Sequence, residues 1–363
     1  MPIAIEELKK IPYINADVVQ GRTVQLMPLW DGTNWRMWFN TGTGFLLEGK
    51  IVDAVESDYV AKSVAKETDL LIPFIHIMWQ HASFPEIVGL ITAISDDFHN
   101  MGTSIAKLKH FWRFRHEIGN GNESRFASTE LEYLVALCRT VFDLLQEIFS
   151  SLWANSVRLT LPEDEAFRKG HPLPKTFSKM VLDQKERLRT ADEIVGKFKL
   201  PPPLAQQFAG AAPFFAQLRK VRDRVIHSGG NFRGVYGTER GFCVNPKSVP
   251  FNAFSGWKQE HQYNENISTI LPWLADLVIK TIETCNGLVG TFAQTIVLPP
   301  PIAPDYWIFV RGPHNEDLAS LLQVGSGKFW WDEEAESSNV PTTYIEGAKS
   351  DETIPNDPKP NAS

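Results

Sequence analysis

The stretch TELEYLVALCRTVFDLLQEIFSSLW, residues 129–153, decides the fold class, because its apolar residues recur at helical spacing along its whole length. One apolar stripe repeats every three or four positions: Leu134, Cys138, Val141, Leu145 and Ile148. Thr129 followed by Glu132 fits a capping box, in which two side chains satisfy backbone N–H groups of the first turn. The pattern therefore predicts an amphipathic helix from Thr129 to about Trp153.

Helical spacing continues on both sides of this stretch, and glycines and prolines mark where its segments end. Gly119 and Gly121 end the segment before it, and the prolines at 201–203 end the segment after it. Pro213 suits the first turn of the next helix, because a proline there removes no helical hydrogen bond. Further helical segments are expected at 86–117 as one helix or two, at 177–198, from Pro213 to Gly229, and at about 266–292.

The first 50 residues predict strands instead. The apolar runs TVQLMPLW, NWRMWFN and GFLLEG are separated by the turn pairs Asp31-Gly32 and Thr41-Gly42, which is typical of a β-meander. Residues 55–82 look helical, with Pro73 as a break or a kink. Near the end of the chain, YWIFVR at 306–311 has the composition of a strand.

These segments predict a mainly α protein: a helical bundle with a small N-terminal β-meander and a β-hairpin insertion. The expected organisation is a β region at 1–54, a helical connector at 55–85, the bundle at 86–298 with the hairpin at about 231–256, a strand and helix extension at 299–331, and an acidic disordered tail at 332–363. The tail is expected to stay disordered because it has few apolar residues to bury.

The composition excludes several classes of protein. The chain of 363 residues is 43% hydrophobic and 22% charged, as in ordinary soluble globular proteins. It has no apolar run of the ~18 residues that a membrane helix needs. The start, MPIAIEELKK, places acids and lysines where a signal peptide needs apolar residues. We therefore expect a cytoplasmic protein with no membrane partner.

The cysteines and short motifs indicate neither a metal nor a cofactor. Cys138, Cys243 and Cys285 are far apart and form no CxxC or Cys/His spacing, so buried free thiols are expected. The chain has no Walker loop, HExxH or GxSxG sequence. Any chemistry is therefore expected to come from side chains alone.

The net charge of −7 is unevenly distributed. Residues 331–363 hold eight acidic and two basic residues, a local charge of −6. Residues 168–240 hold 15 Lys and Arg against 6 Asp and Glu, a local charge of +9. A basic segment of this size attracts polyanions, although a solvated helix face gives the same pattern. The acidic tail either competes with a polyanion for the basic segment or serves only as a solubilising tail.

The basic segment contains RDRVIHSGG, residues 222–230. At about 100° per residue, Arg222 and His227 flank a helix face that is separate from the apolar stripe. His227 would lie in the last turn, where the helix dipole favours its protonated form, although a simple C-terminal cap would place it there as well. Asp223, four positions before His227, is placed to accept a hydrogen bond from its imidazole. The stretch therefore offers the groups that metal-free RNA cleavage requires.

Arg222-Asp223-x-x-x-His227 resembles the R-x(4-6)-H motif of HEPN domains, which prefer a polar residue after the Arg. The motif also closes a helix late in a helical run, as it does in that family. The resemblance covers about residues 86–292. It implies a HEPN-like helical bundle that dimerises and a metal-independent ribonuclease acting on single-stranded RNA, of a kind used as toxins or in phage defence. Some members are inactive and bind nucleotides or partner proteins instead.

The resemblance assigns phosphate binding to Arg222, acid/base catalysis to His227 and the orientation of this pair to Asp223. Beside them, Lys220, Arg224 and Arg219 are candidates for RNA binding, although solvated surface residues would look the same. The resemblance implies single-stranded RNA, a second copy of the chain, and a cognate antitoxin or other protein as partners. The alternative is a catalytically silent helical module that binds nucleic acid or a partner protein.

A second basic and aromatic stretch, KLKHFWRFRH at 107–116, suggests either stacking on single-stranded RNA or an amphipathic helix end. The second reading places its aromatic side chains in the core. His76 and His81 lie in an apolar stretch without a partner at metal-ligand spacing, so core or capping roles are expected for both.

Overall fold

The structure is a computed structural model that describes most of the chain. The described residues are 3–119, 121–155, 157–159, 168, 170–227, 232–254, 257–324, 329–330 and 332, with the side chains of Leu159, Val225, Ile226 and His227 excepted. The predicted disordered tail lies outside the described residues, apart from Asp332.

Four long helices dominate the described part of the chain, together with six shorter ones. The helices are α1 (Ile5–Leu8), α2 (Pro73–His81), α3 (Pro85–Arg113), α4 (Arg115–Ile118), α5 (Asn122–Asn155), α6 (Phe177–Val181), α7 (Ala191–Phe198), α8 (Pro202–His227), α9 (Leu271–Thr295) and α10 (Asn315–Leu322). Helix α3 packs along α5, and α8 packs against both α5 and α9.

The central helix α5 is confirmed, but its predicted start is wrong. It begins at Asn122, so Thr129 lies within the helix rather than at its N-cap. The hydroxyl of Thr129 donates to the carbonyl of Arg125, 3.1 Å away, which is the usual bond of a threonine inside a helix. Ala127 and Ser128 are buried. The buried face therefore continues N-terminal to the apparent capping box.

Two further helix predictions are corrected. The segment 177–198 is two helices, α6 and α7, joined by a turn, and a capping box between Thr190 and Glu193 starts the second one. Helix α8 begins at Pro202, which places Pro213 inside it. Leu204 and Phe208 are fully buried, and they extend the apolar stripe across Pro213. Burial of this longer stripe outweighs the hydrogen bond that a proline removes from a helix.

The strands form three sheets. They are β1 (Leu29–Trp30), β2 (Trp35–Asn40), β3 (Leu46–Ile51), β4 (Ser57–Ala61), β5 (Arg158–Leu159), β6 (Tyr236–Thr238), β7 (Gly241–Val244), β8 (Ser268–Thr269), β9 (Ile296–Val297) and β10 (Trp307–Arg311). The largest sheet has the order β10-β4-β1-β2-β3, a second pairs β5 with β9, and a third has the order β6-β7-β8.

The prediction of a mainly α helical bundle is wrong, since the chain has an α/β fold. The N-terminal meander forms as one side of a five-stranded mixed sheet, in which β4 pairs parallel with β1 and β10 pairs antiparallel with β4. The helical reading of 55–82 is wrong over 57–61, which is strand β4. Tyr59, Val60 and Ala61 are all fully buried, so this strand has no alternation of polar and apolar residues to mark it.

The interior between α5, α6, α8 and α9 is rich in phenylalanine. Phe142 of α5 is fully buried, with its ring centroid 5.1 Å from that of Phe177 and 5.6 Å from that of Phe215. Phe149, two turns along α5, lies 4.6 Å from Phe292 of α9 by the same measure. These edge-to-face and tilted contacts join four helices in one core.

Helix α2 attaches the C-terminal strand β10 to the rest of the fold. Gln80 is buried, and its side chain donates to the carbonyls of Ala303 and Tyr306 and accepts from the N–H of Ala303. Nδ1 of His76 accepts from the N–H of Ile308, 3.3 Å away. The expectation that His76 is a core residue is consistent with these contacts. Burial lowers the pKa of His76 to about 4, and the charge of His81 adds to this effect.

These histidine contacts predict a loss of stability in mild acid. Below pH 6.5 the unfolded His76 takes up a proton, whereas the folded side chain stays neutral to about pH 4, so the free energy of unfolding falls as the pH drops through this window. Replacing His76 by Asn keeps an acceptor near the position of Nδ1 and is expected to remove about 1–2 kcal/mol of that fall. Urea unfolding at pH 7, 6 and 5 measures it. His116→Asn, at an exposed site, should show the same fall in the free energy of unfolding between pH 7 and pH 5 as the wild type. If His76→Asn shows that same fall, the loss of stability does not come from His76.

Candidate functional site

The C-terminal part of α8 carries the residues of the predicted motif. A guanidinium N–H of Arg222 donates to Asp223 Oδ1 at 2.9 Å, and Nε of Arg219 lies 3.3 Å from Asp223 Oδ2. The second arm of Arg219 donates to Glu186 at 2.7 Å. The side chain of Arg222 is 34% exposed and that of Asp223 is 36% exposed. One carboxylate therefore holds two arginines side by side at a solvent-accessible surface.

The structure brings Arg222 and Asp223 together, but in an arrangement that the sequence did not predict. Asp223 was expected to orient the Arg–His pair through the imidazole of His227. Its two oxygens instead contact Arg219 and Arg222. Asp223 therefore fixes the guanidinium of Arg222. His227 lies in the last turn of α8, as predicted, but its side chain lies outside the described residues. The contact between Asp223 and His227 therefore stays a prediction.

The three candidate RNA-binding residues lie on two sides of α8. Lys220 and Arg224 line a cavity of about 320 Å³ together with Val249 and Pro250. Arg219 lines a different cavity, because it lies about 100° around the helix from Lys220. The predicted cations therefore flank the helix instead of forming a single row.

The cavity beside Arg219 has a volume of about 650 Å³ and is the larger of the two. Four of its lining residues are basic and two are acidic: Lys179, Arg189, Lys197 and Arg219, with Asp183 and Glu186. Nε of Arg189 is buried and has no hydrogen-bond partner among the described residues. Sequence reasoning singled out only Arg219 here, although the net charge of +9 over 168–240 includes all four cations.

The stretch at 107–116 does not present a stacking surface of free aromatic rings. Trp112 is fully buried, and its indole N–H donates to the carbonyl of Thr238 at 2.6 Å. The guanidinium of Arg115 lies 5.1 Å from the centroid of the Trp112 ring. Phe114 is exposed, but its neighbour Phe111 packs against the core. The reading as an amphipathic helix end fits these contacts better than the RNA-stacking reading.

Metals, disulfides and membrane spans find no support in the described residues. All three cysteines are buried and free. No three His, Cys, Asp or Glu side chains of the described residues are grouped so that they could hold a metal ion. None of the described helices combines the length and the apolar character needed to cross a membrane.

Comparison of the chain with models of known families, with curated proteins and with solved structures finds no match. The resemblance to HEPN domains therefore rests on the residues of the motif and on their position at the end of α8. Ribonuclease activity, RNA binding and dimer formation stay predictions for the same reason.

A carboxyl group on α3 titrates near neutrality, away from the motif. Burial raises the pKa of Asp97 to about 7, and the charge of Asp96 adds to the rise. Oδ2 of Asp97 is buried and has no hydrogen-bond partner among the described residues. The folded protein therefore favours the protonated form of this side chain.

Asp97 should lower the stability of the protein as the pH rises from about 4 to about 7, because over this range the folded state binds the proton more tightly than the unfolded state. We expect Asp97→Asn to raise the free energy of unfolding at pH 8 by about 1–2 kcal/mol, because solvent partly screens this carboxyl group. Near pH 4 the substitution should have little effect. Urea unfolding at both pH values measures this. The exposed Glu67→Gln serves as control, and a stabilisation that does not depend on pH would count against the assignment.

Proposed function

We propose that the protein is a metal-independent ribonuclease of HEPN type that cleaves single-stranded RNA at the C-terminal end of α8. The observation that carries the proposal is the position of Arg222, which is one-third exposed and held beside Arg219 by Asp223 on the helix that ends at His227. The basic residues on both sides of α8 support it, because the phosphates that flank a cleavage site need cations.

The chemistry follows from the two groups of the motif. Neutral His227 would remove the proton from a ribose 2′-OH, whose oxygen then attacks the adjacent phosphorus. The bond from phosphorus to the 5′-oxygen breaks, and that oxygen takes a proton from a second imidazole or from water. The guanidinium of Arg222 would stabilise the charge that develops on the phosphoryl oxygens. The products are a 2′,3′-cyclic phosphate and a 5′-OH, so neither a metal nor a cofactor is required.

The proposal includes a homodimer, since two copies would supply the two histidines that act as base and acid at one cleft. Control by a cognate antitoxin and a role as a toxin or in phage defence follow from the HEPN resemblance alone. A cytoplasmic setting, in which RNA is available, is part of the same proposal.

The second candidate is a catalytically silent module that binds nucleic acid or a partner protein. The pairing of Asp223 with both Arg219 and Arg222 favours it, because this ion-pair cluster gives the arginines a structural role without any substrate. In that case Glu186, which also pairs with Arg219, extends the cluster to the turn before α7.

Cleavage in the presence of EDTA separates the two candidates. Purified protein with a 5′-labelled single-stranded RNA is expected to yield fragments that end in a 2′,3′-cyclic phosphate. The same oligonucleotide with 2′-O-methyl groups should be bound but stay intact, because it lacks the attacking hydroxyl. If the RNA is bound and never cut, the silent module is supported. Cleavage that EDTA abolishes would contradict the metal-independent mechanism.

A further inference from the structure

A third cavity lies away from α8, between the five-stranded sheet and helix α3. Its volume is about 560 Å³, and its lining includes Met37 of β2, Asp58 of β4 and four residues of α3, namely Thr92, Ser95, Asp96 and His99. Pockets of about 300–1,000 Å³ commonly hold small-molecule ligands. None of its lining residues belongs to the motif or to the basic segment at 168–240.

Three polar atoms of residues that line this cavity have no partner. They are Ser57 Oγ, Asp58 Oδ1 and His99 Nε2, all buried and without a hydrogen bond from any described residue. A buried polar atom without a partner costs about 1–3 kcal/mol, and native structures hold few of them. A polar ligand in this cavity would supply hydrogen bonds that these lining residues do not find within the protein.

The carboxyl group of Asp58 is fixed in place on one side only. Its Oδ2 accepts from the indole N–H of Trp79 at 2.9 Å and from the hydroxyl of Ser95 at 2.8 Å. Its Oδ1 is buried and has no hydrogen-bond partner among the described residues. His99 is close by, with a side chain that is only 10% exposed and with Nδ1 4.0 Å from Oε1 of Glu56. Asp58 is therefore the best-positioned acceptor in the cavity.

The charge of the lining selects the class of ligand. Glu56, Asp58 and Asp96 are acidic, and the lining has no lysine or arginine. The negative potential of such a cavity attracts cations. A metal ion is a poor candidate, since no three suitable side chains in the described part of the chain are grouped to ligate one. Apolar residues on the other walls, among them Met27 and Ile51, suit an organic cation with an apolar body.

We propose that this cavity binds a small organic cation, a protonated amine on a short apolar chain, whose ammonium group donates to Asp58 Oδ1. Ser57 Oγ is a second acceptor for the ammonium group, and Glu56 and Asp96 supply attraction at the exposed side of the cavity. The apolar chain packs on Met27, Met37 and Ile51.

The affinity for the amine is expected to rise with pH. Burial raises the pKa of Asp58, and the bound ammonium group favours the ionised carboxylate, so binding is easier where Asp58 has already lost its proton. Glu56, Asp96 and His99 are the other titratable groups that line the cavity. Because binding favours the ionised form of Asp58, the test is done at pH 8.

Titration calorimetry with n-butylamine tests the proposal, with 1-butanol as the neutral ligand of matched shape. We expect saturable binding of the amine, at least ten-fold weaker binding of butanol, and at least ten-fold weaker amine binding by Asp58→Asn. Asparagine keeps an oxygen that accepts from Trp79 and Ser95, which favours folding of this variant. Glu67→Gln, exposed and outside the cavity, should bind the amine as the wild type does.

Asp96→Asn provides a second variant that does not disturb a buried bond, because Asp96 is exposed, and it should weaken amine binding by a few-fold. The proposal is overturned if the amine does not saturate, if butanol binds equally well, or if neither aspartate variant loses affinity. RNA cleavage is a separate readout on a separate site, so its absence would leave amine binding intact.

Discussion

His227→Ala is expected to lower the rate constant for RNA cleavage by about 10²- to 10⁴-fold, the usual contribution of a general acid or base. RNA binding should change by less than a factor of about three, because a neutral imidazole contributes little to phosphate affinity. Single-turnover cleavage with enzyme in excess measures the rate constant, and fluorescence anisotropy of a labelled RNA measures the binding. The wild-type rate should also show a pH dependence near neutrality that His227→Ala lacks.

Arg222→Ala gives the matching test for charge stabilisation. We expect a loss of about 10²- to 10³-fold in the same rate constant, as for the removal of one donor to a developing oxyanion. Arg222→Lys should recover only part of it, because lysine keeps the charge but loses the fork that pairs with two phosphate oxygens. Lys185→Ala removes an exposed positive charge from the same basic segment and serves as the control. If Lys185→Ala and Arg222→Ala lower the rate constant for cleavage equally, Arg222 acts only through its positive charge and not at the reacting phosphate.

The largest expected effect on stability comes from the phenylalanine-rich interior. Phe142→Ala is expected to lower the free energy of unfolding by about 3–5 kcal/mol, since it removes a fully buried ring from contact with three other phenylalanine rings. Phe142→Leu should cost less than half of that value, because it leaves a smaller cavity. Urea unfolding followed by far-ultraviolet circular dichroism measures both variants.

Phe45→Ala is the matched control for this measurement, because its ring is 62% exposed. It is expected to change the stability by less than about 0.5 kcal/mol. A loss below about 1 kcal/mol in Phe142→Ala would show that the four helices do not depend on this cluster.

Sequence patterns predicted the long helices better than the sheet. Helices α3, α5, α8 and α9 present a wide apolar stripe over many turns, so local spacing alone identifies them. Strand β4 has only five residues and is buried among neighbours, so its sequence carries no alternation. The pairing of β4 with β10 joins residues from opposite ends of the chain, which no local pattern records. For this reason the fold was predicted as a helical bundle.

In the candidate site, too, local sequence patterns predicted the helix but not the contacts between distant parts of the chain. Helical spacing placed Asp223 four positions before His227 on one helix, but the observed partners of Asp223 are Arg222 and Arg219. Helical spacing did not predict that Arg219 pairs with Glu186, which is 33 positions earlier in the chain. The acidic cavity was missed entirely, since Asp58 and His99 meet only after β4 packs against α3. Contacts of this kind depend on the tertiary fold.

The register of the large sheet pairs Ser57 with Arg311, so the ribosome must add about 250 residues between the two strands. At about 5–20 residues per second, the edge of β4 waits roughly 10–50 seconds for its closing strand. An open strand edge can pair with other nascent chains during that interval. A chain that ends before residue 307 lacks β10 and keeps the edge of β4 open. We therefore expect such truncated chains to aggregate more readily than the full-length chain.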